Sequence, residues 1–276
     1  MENSQVQTVE VMQTEQLQSM DRAEIDMQIA TAKKFPRDIQ QCLDNIRALS
    51  MIDEDTMESC FYHLERKDKD GQIKEIEGMS VRMAEILVSC WGNLRVATRI
   101  IGNDGRKITA QGICFDVQNN VAVSCETSRR ITNKNGKTYS DDMQIVTGNA
   151  ASAIAFRNAV FKVIPAAVTK AVTNEIRQRL LEMTSTKISQ KRRNAVEWFT
   201  KRGVTESELK KYLGTDNLET ISAEEIVNLR GVATAIREGS SSIDEIFRNN
   251  SDDRTVSDRK EEIRAKGTAP EVEDMP

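Results

Sequence analysis

The amino-acid sequence predicts an α+β fold in which an antiparallel β-meander of three to four strands packs on a central helix. Between residues 94 and 131, β-branched residues are frequent and short Gly/Asn/Asp segments interrupt them, a pattern typical of consecutive antiparallel strands. The next segment, 148–164, is rich in small residues and is followed by Pro165, which indicates a closely packed helix that ends there. Helical periodicity on both sides predicts N-terminal helices and a small C-terminal helical module.

Three helices are predicted in the N-terminal part of the chain. The first begins at Asp21, which has Glu24 at capping-box spacing, and extends toward Lys34. The second is indicated by apolar residues at helical spacing within 39–46, and a short third helix begins at Asp53. These helices precede the meander and are assigned to the same core.

A charged region and a fourth helix connect this part of the chain to the meander. Residues 65–78 are dominated by charged residues and are predicted to form a charged turn or flap. Ser80 then caps an amphipathic helix that extends to Trp91, with apolar residues at helical spacing. Gly92 follows its last turn, as glycine often does at a helix C-terminus.

The meander is predicted to have one basic face. Its strands are expected over residues 94–101, 107–117 and 121–131. In the first strand, Arg95 and Arg99 share one parity and the apolar residues share the other. Because side chains alternate across a strand, we expect one face to be buried and the other to be basic.

The part of the chain after the meander is predicted to be mainly helical. A tight turn at 134–137 and a short strand near 143–146 should precede the central helix, which opens at Gly148. A further helix should run from Pro165 to about Leu180. The predicted divisions of the chain are a disordered N-terminus (1–18), an α+β core (19–183), a small helical module (187–247) and a disordered charged tail (248–276).

The composition of the 276-residue chain limits the class of protein. Hydrophobic residues make up 38% and charged residues 30%. No apolar run reaches the roughly 20 residues that a membrane helix needs. No secretory signal is apparent, and the five single cysteines without a CxxC pair are typical of reduced thiols. The sequence therefore predicts a cytoplasmic protein without membrane contact.

Basic residues are concentrated in one part of the chain, although the net charge is −4. Nine basic residues and only four acidic residues lie between Arg82 and Lys137. Because a partner experiences the local field rather than the total charge, this part of the chain is predicted to suit an anionic partner such as nucleic acid.

Motifs of common enzymes are absent from the sequence. Gly136-Lys137-Thr138 resembles the end of a phosphate-binding loop, but Ile131 stands where that motif needs a glycine. GxGxxG, GxSxG and HExxH motifs are also missing. His63 is the one histidine, and it is expected to be exposed or half-buried. We therefore predict no enzymatic activity, no cofactor and no metal.

Three segments of the chain resemble phage single-strand annealing proteins of the Erf/RecT superfamily: Gly78–Glu85, Trp91–Asn93 and Thr147–Phe161. In that family a β-β-β-α core is followed by a helix of the form Gly…Ala…Tyr-Ala-x-Arg-Tyr-Ala-Leu. Here Ala155-Phe156-Arg157-Asn158-Ala159-Val160-Phe161 occupies the corresponding place. A phenylalanine replaces the first aromatic residue and an asparagine the second. The resemblance covers roughly residues 22–183.

The resemblance implies an ATP-independent protein that coats single-stranded DNA and anneals complementary strands. It also implies a homo-oligomer in the form of a ring or filament, working in a bacterial host cell with a phage exonuclease or a single-strand-binding protein. Positive side chains along a groove would hold the phosphates. The residues assigned to this role are Arg95, Arg99, Arg129, Arg130, Lys134, Lys137, Arg157 and Lys162.

Other roles remain open for some of these residues and for the chain. Lys137 also suits an ordinary solvated hairpin tip, and Arg157 and Lys162 also suit ion pairs with Asp141 or Asp142. A phage structural or assembly protein without nucleic-acid binding is the alternative function, and it predicts basic residues scattered over both sheet faces. A metal-dependent enzyme acting on DNA would need Asp141 and Asp142, but adjacent carboxylates on a strand point to opposite faces.

Overall fold

The computed structural model describes residues 22–67, 73–133 and 135–248. Its helices and two small antiparallel sheets confirm the predicted α+β class. The segments predicted to be disordered, 1–18 and all but the first residue of 248–276, lie outside the described residues, as does the predicted helix start at Asp21.

The described elements follow one another along the chain as α1 (residues 22–34), α2 (Ile39–Ser50), α3 (Glu54–Ser59), β1 (Phe61–Lys67), β2 (Ile73–Met79), α4 (Val81–Trp91), β3 (Leu94–Asn103), β4 (Lys107–Asp116), β5 (Val121–Arg130), α5 (Asp141–Val163), α6 (Ala166–Thr186), α7 (Ile188–Thr200), α8 (Glu206–Leu213), a 3-10 helix (Leu218–Thr220), α9 (Ala223–Arg237) and a final π-helix (Asp244–Arg248). They divide into two compact units. Unit 1 is Met1–Leu49 with Ala84–Thr169, and unit 2 is Ser50–Met83 with Lys170–Pro276.

Local capping explains where two of the predicted helices begin. The Asp53 side chain accepts a hydrogen bond of 2.7 Å from the backbone N–H of Thr56 at the start of α3. The Ser80 hydroxyl accepts one of 3.1 Å from the backbone N–H of Met83 at the start of α4. Each bond satisfies a backbone donor that the first turn leaves without a partner. The predicted starts at Asp53 and Ser80 are confirmed.

Unit 1 contains the predicted three-stranded meander, in the order β3-β4-β5. The central strand β4 alternates between buried and half-buried residues, and its buried side chains include Ile108, Ala110 and Cys114. This alternation places one face of β4 beneath α5. Turn residues connect the strands, as the sequence indicates, and a β-bulge interrupts the pairing of β3 near Gly102.

Small residues allow α5 to approach the sheet very closely. Ala151, Ala155 and Ala159 are fully buried on this helix. A Cβ atom added to Gly112 of β4 would overlap the carbonyl oxygen of Ala155 and lie 2.8 Å from the backbone nitrogen of Phe156. The prediction of a small-residue helix packed on the meander is therefore confirmed.

The predicted start of α5 at Gly148 and the predicted strand at 143–146 are both wrong. The helix begins at Asp141, and residues 143–146 form part of its first two turns. Two acidic residues in the first turn suit the positive end of the helix dipole. This part of the helix is exposed, with Ile145 exposed at 62%. Its β-branched residues, Ile145 and Val146, have strand propensity, which is why the sequence resembles a strand there. The predicted break at Pro165 is confirmed, because α5 ends at Val163.

The prediction of a charged turn or flap over residues 65–78 is wrong for the described part of this segment, because β1 and β2 pair as antiparallel strands in unit 2. Residues 68–72, between the two strands, lie outside the described residues. Leu64 faces Ile76 across the strands, whereas the neighbouring pair is Glu65 and Glu75. Charged residues along the hairpin conceal the apolar alternation that indicates strands. Leu64 is buried in the core of unit 2, and Ile76 packs against that core. These apolar residues anchor the two strands to unit 2.

Unit 2 joins this hairpin to the predicted C-terminal helical module. The module has a core around Phe199, and Leu64 of β1 belongs to the same core. Glu58 of α3 is also buried, and its carboxylate lies 3.0 Å from Arg230 of α9 and 3.6 Å from Lys191 of α7. The described residues of 50–83 therefore belong to the same unit as the module, whereas the prediction assigned them to the core of residues 19–183.

Among the described residues, no single helix combines the length and apolar composition needed to cross a membrane. Only the broken pair of α5 and α6 meets that requirement together, by length and composition alone.

His63 provides a test of the packing of unit 2. It is 4% exposed, which corrects the expectation of an exposed or half-buried histidine. A Cβ atom added to Gly231 of α9 would lie 2.7 Å from the Cβ of His63. Burial lowers the pKa of His63, an effect that Arg177 adds to and that Glu75 and Glu77 oppose.

We expect the His63 pKa to lie below the ordinary value of about 6.5. The unfolded chain then takes up the proton first, so the His63 contribution to stability is present above about pH 6.5 and is lost as pH falls through the folded pKa. NMR titration of the single histidine ring measures this pKa directly. Urea unfolding at several pH values, beside the His63→Gln variant, measures the linked stability. A folded pKa at or above the ordinary value would contradict the buried position.

Candidate nucleic-acid interface

Two chain segments meet at one end of the sheet in unit 1. The β3–β4 turn lies beside the segment that follows β5. Thr138 donates a hydrogen bond from Oγ1 to the carbonyl oxygen of Gly105 at 2.9 Å. The backbone N–H of Ile131 donates to the carbonyl oxygen of Arg106 at 2.8 Å. These bonds hold both segments at the same end of the sheet.

Side-chain hydrogen bonds fix the conformation of the first segment. Asp104 accepts hydrogen bonds from the backbone N–H groups of Lys107 at 2.7 Å and Arg106 at 2.9 Å. The same bonds, of which the one from Lys107 has the largest effect, hold the pKa of Asp104 below its usual value. Gly105, between Asp104 and Arg106, has φ 79°, a conformation that glycine adopts without strain. The turn therefore presents Arg106 and Lys107 in a fixed backbone geometry.

The second segment has a similar turn. The Asn133 side chain accepts hydrogen bonds from the backbone N–H groups of Asn135 at 3.0 Å and Lys137 at 2.9 Å. Such turns are typical of asparagine and aspartate. Lys137 is exposed on this turn, and Lys134 lies outside the described residues.

An open groove of about 550 Å³ lies between the two segments. Among the described residues that line it, four are basic and one is acidic, and we call the four basic residues, Arg106, Lys107, Arg129 and Arg130, the basic end. The residues that line the groove are Asp104, Arg106, Lys107, Ser128, Arg129, Arg130, Thr132, Asn133 and Gly136.

The strand register places two cations of the basic end directly opposite each other. Lys107 of β4 faces Arg130 of β5, and both are exposed. Neither forms an ion pair with another described residue. Like charges opposite each other destabilise a sheet, so this arrangement gains from a bound anion. Phosphate is well suited, because lysine and arginine donate charge-assisted hydrogen bonds to its oxygens.

Arg129 and Arg130 reach the groove from opposite faces of β5. They are adjacent on one strand, and Arg129 faces Ile108, which is buried beneath α5. The expected basic sheet face therefore supplies only part of the basic end, because Arg129 reaches the groove from the other face. Arg106 and Lys107 are not among the site residues expected from the sequence. The sequence signal for them is that they end the Gly-containing turn before β4, while the next strand, β5, ends in Arg129 and Arg130 and returns antiparallel beside β4.

Arg95 and Arg99 lie on the face of the sheet that also carries Lys107 and Arg130. Arg95 pairs in register with Phe115 and Arg99 with Gln111. Phe115 is eight residue steps along β4 from Lys107, a span of about 27 Å at 3.4 Å per residue, and Gln111 is four steps away, about 14 Å. Arg95 and Arg99 therefore lie outside the groove, although they share a sheet face with part of the basic end.

The prediction that the opposite face of β3 is buried is wrong for much of this strand. On that face Ile100 is 45% exposed, and Thr98 is exposed as well. The physical reason is that α5 packs mainly on β4 and β5 and much less on β3. β3 is an edge strand, so helical cover is limited on one face.

The expectation that Arg157 and Lys162 face the same groove is wrong. Asp141 at the start of α5 is close in sequence to the groove, whereas Arg157 follows 16 residues later, about 24 Å along the helix. Lys162 is in the last turn. The same distance rules out ion pairs from Arg157 or Lys162 to Asp141 or Asp142. Arg157 is 9% exposed, and its Nε lies 3.4 Å from the Asn158 side-chain oxygen.

Asp141 and Asp142 occupy the first turn of α5 rather than a strand. Within the described ranges, no three His, Cys, Asp or Glu residues come close enough together to hold a metal ion. The chemistry that the described groove offers is therefore electrostatic binding of an anion by lysine and arginine.

Comparisons of the chain with protein-family models, with curated proteins and with solved structures found no match. The case for a function therefore depends on the chain's own residues. The strongest of these features is the basic end, where four cations and one acidic residue line a single groove.

Proposed function

We propose that the chain binds single-stranded DNA through the basic end and anneals complementary strands without ATP or another cofactor. The observation that carries this proposal is the cross-strand pair of Lys107 and Arg130, with Arg106 and Arg129 beside it. A polyanion would relieve the repulsion within this cluster. The resemblance of Thr147–Phe161 to Erf/RecT annealing proteins favours single-stranded DNA as that polyanion.

The composition of the groove favours binding without sequence preference. Phosphate contacts position a strand but do not read its bases. None of the described residues that line the groove is aromatic, so stacking of bases is not expected to contribute much there. Affinity should therefore come mainly from phosphate contacts and depend strongly on salt concentration.

Exposed apolar residues support self-association as part of this proposal. Ile100 and Ile101 are exposed on the edge strand β3, and Met143, Ile145 and Val146 are exposed at 47%, 62% and 58% on α5. Apolar surface of this kind is common at protein interfaces. We accordingly propose a homo-oligomer, a ring or a filament, in the cytoplasm of a bacterial host, with a phage exonuclease or a single-strand-binding protein as further partner.

Fluorescence anisotropy with a labelled single-stranded oligonucleotide across a salt series tests the proposal. We expect the Lys107→Gln/Arg130→Gln variant to bind at least about tenfold more weakly than the wild type, because two charge-assisted contacts are lost. The slope of log K against log salt should decrease in magnitude by about 1.4, or 0.7 for each lost contact. Annealing of two complementary strands without ATP should slow in parallel.

A matched control removes the same charge elsewhere. Lys170 and Arg179 are both exposed on α6, and the Lys170→Gln/Arg179→Gln variant should keep most of the affinity and slope. No binding by the wild-type chain at low salt would remove the proposal. An equal loss in both double variants would show that net charge, rather than the basic end, determines binding.

A phage structural or assembly role is the competing proposal. The exposed apolar residues of β3 and α5 favour it as well, and basic residues occur on both faces of the sheet. This role predicts self-association without affinity for oligonucleotides. The same anisotropy measurement, combined with sedimentation of the free protein, therefore distinguishes the two.

A further inference from the structure

Helix α1 contacts the sheet of unit 1 through Arg95. The Nη1 atom of Arg95 donates hydrogen bonds to Glu24 Oε1 at 2.7 Å and to Gln28 Oε1 at 3.3 Å. Arg95 has the parity of Lys107 in the register, so its side chain extends from the face that α5 leaves uncovered. Glu24 thus forms an ion pair with a cation, Arg95, that lies on the same sheet face as part of the basic end.

Polar side chains line this face between the basic end and Arg95. One two-residue step from Lys107, the hydroxyls of Thr109 and Ser128 lie 2.8 Å apart. At the next step, Arg99 donates from Nε to Gln111 Oε1 at 2.9 Å. Each step covers about 6.8 Å of the strand. Hydroxyl, amide and guanidinium groups are all able to donate to phosphate oxygens.

The contact between Glu24 and Arg95 is weak enough to be replaced. The Arg95 side chain is 31% exposed and the Glu24 side chain is 48% exposed. Ion pairs at such exposed positions contribute little to stability, and salt screens them. A DNA phosphate would offer Arg95 the same negative charge and the same kind of hydrogen bond as the Glu24 carboxylate.

We infer that Glu24 of α1 competes with DNA for Arg95, so that α1 restrains strand binding beyond the basic end. This inference rests on the proposed function. A strand held by Lys107 and Arg130 passes Thr109 and Gln111 and displaces Glu24, after which Arg95 binds a phosphate. The contact is therefore an autoinhibitory one, and Arg95 becomes a DNA contact only when Glu24 is displaced.

A double-mutant cycle on Glu24 and Arg95 tests this competition. The wild type, Glu24→Gln, Arg95→Ala and the double variant are compared by anisotropy with an oligo(dT) long enough to cover the span to Arg95. We expect Glu24→Gln to bind about twofold to fivefold more tightly, the range that an exposed ion pair supplies. In the Arg95→Ala background the same substitution should have no effect.

Asp26 provides the matched control, because it is exposed on the same helix and carries the same charge. Asp26→Asn should leave the affinity close to that of the wild type. An equal gain in Asp26→Asn and Glu24→Gln overturns the inference, because the gain would then reflect net charge alone. A Glu24→Gln gain that persists without Arg95 also overturns it.

The failure of this inference differs from the failure of the proposed function. If the wild type binds and the Lys107→Gln/Arg130→Gln variant does not, the basic end is upheld, and an unchanged Glu24→Gln affinity then rejects only the role of α1. If neither Glu24→Gln nor the wild type binds the oligonucleotide at low salt, the proposed function and the inference both fail. Matching thermal unfolding of the wild type and the three variants excludes a folding defect as the cause.

Discussion

Replacing Gly112 with alanine is expected to lower the free energy of unfolding of unit 1 by about 3 kcal/mol, the upper part of the usual range for overpacking. The added Cβ would overlap the carbonyl oxygen of Ala155, and the backbone nitrogen of Phe156 would lie 2.8 Å away. Both are backbone atoms of α5, so no side-chain rotation relieves the overlap. The helix would have to move away from β4 and lose packing along its alanine face.

Urea unfolding can follow this effect in unit 1 alone. The chain has two tryptophans, and Trp91 lies in unit 1 whereas Trp198 lies in unit 2. In a Trp198→Phe background, fluorescence therefore reports on unit 1. Gly102→Ala is the control, because a Cβ there meets no atom within 4 Å. Similar midpoints for Gly112→Ala and Gly102→Ala would show that α5 does not approach β4 as closely as described.

The meander could be predicted from the sequence because its signals are local. Turn residues separate its β-branched runs, and alternation along a strand requires no knowledge of its neighbours. The β1–β2 hairpin escaped prediction because Glu65 and Glu75 occupy strand positions that hydrophobic periodicity would leave unassigned. The start of α5 escaped it because Ile145 and Val146 have strand propensity, yet the helix determines their conformation.

The candidate site was predictable only in part for a different reason. Charge density along the sequence indicated Arg129 and Arg130 near the groove, but not the residue that faces Arg130. That residue is Lys107, and it depends on the register between β4 and β5. The role assigned to Arg95 depends in a similar way on Glu24, 71 residues away in sequence. Long-range pairings of this kind leave no local pattern in a single sequence.

Replacing Arg37 with alanine is expected to destabilise unit 1 by about 3–5 kcal/mol, the usual effect of removing one partner of a buried ion pair. Arg37 Nη1 lies 3.0 Å from Asp116 Oδ2, and the two side chains are 4% and 5% exposed. Arg37 also donates to the carbonyl oxygens of Trp91 at 2.7 Å and Gly92 at 2.9 Å. Its guanidinium carbon lies 4.5 Å from the centre of the Trp91 ring.

The pKa of Asp116 links this ion pair to pH. Burial works to raise that pKa, but hydrogen bonds from Arg37 and Asn119 outweigh it and lower the pKa below the usual value. The folded state therefore keeps Asp116 ionised, and this contribution to stability is present above the unfolded pKa of about 3.9. It is lost as pH falls through the folded pKa. In Arg37→Ala the folded pKa should rise toward the unfolded value, which reduces the stability that Asp116 contributes above that pH.

A double-mutant cycle with Asp116→Asn separates the ion pair from the other contacts of Arg37. Because Arg37→Ala leaves a buried carboxylate without its cation, adding Asp116→Asn should recover part of the lost stability. The remainder measures the contacts of Arg37 with Trp91 and Gly92. Arg37→Lys should recover little, since an ammonium group cannot reach three acceptors and stack on an indole together. Urea unfolding followed by circular dichroism gives all four free energies, and strictly additive losses would mean that Asp116 does not depend on Arg37.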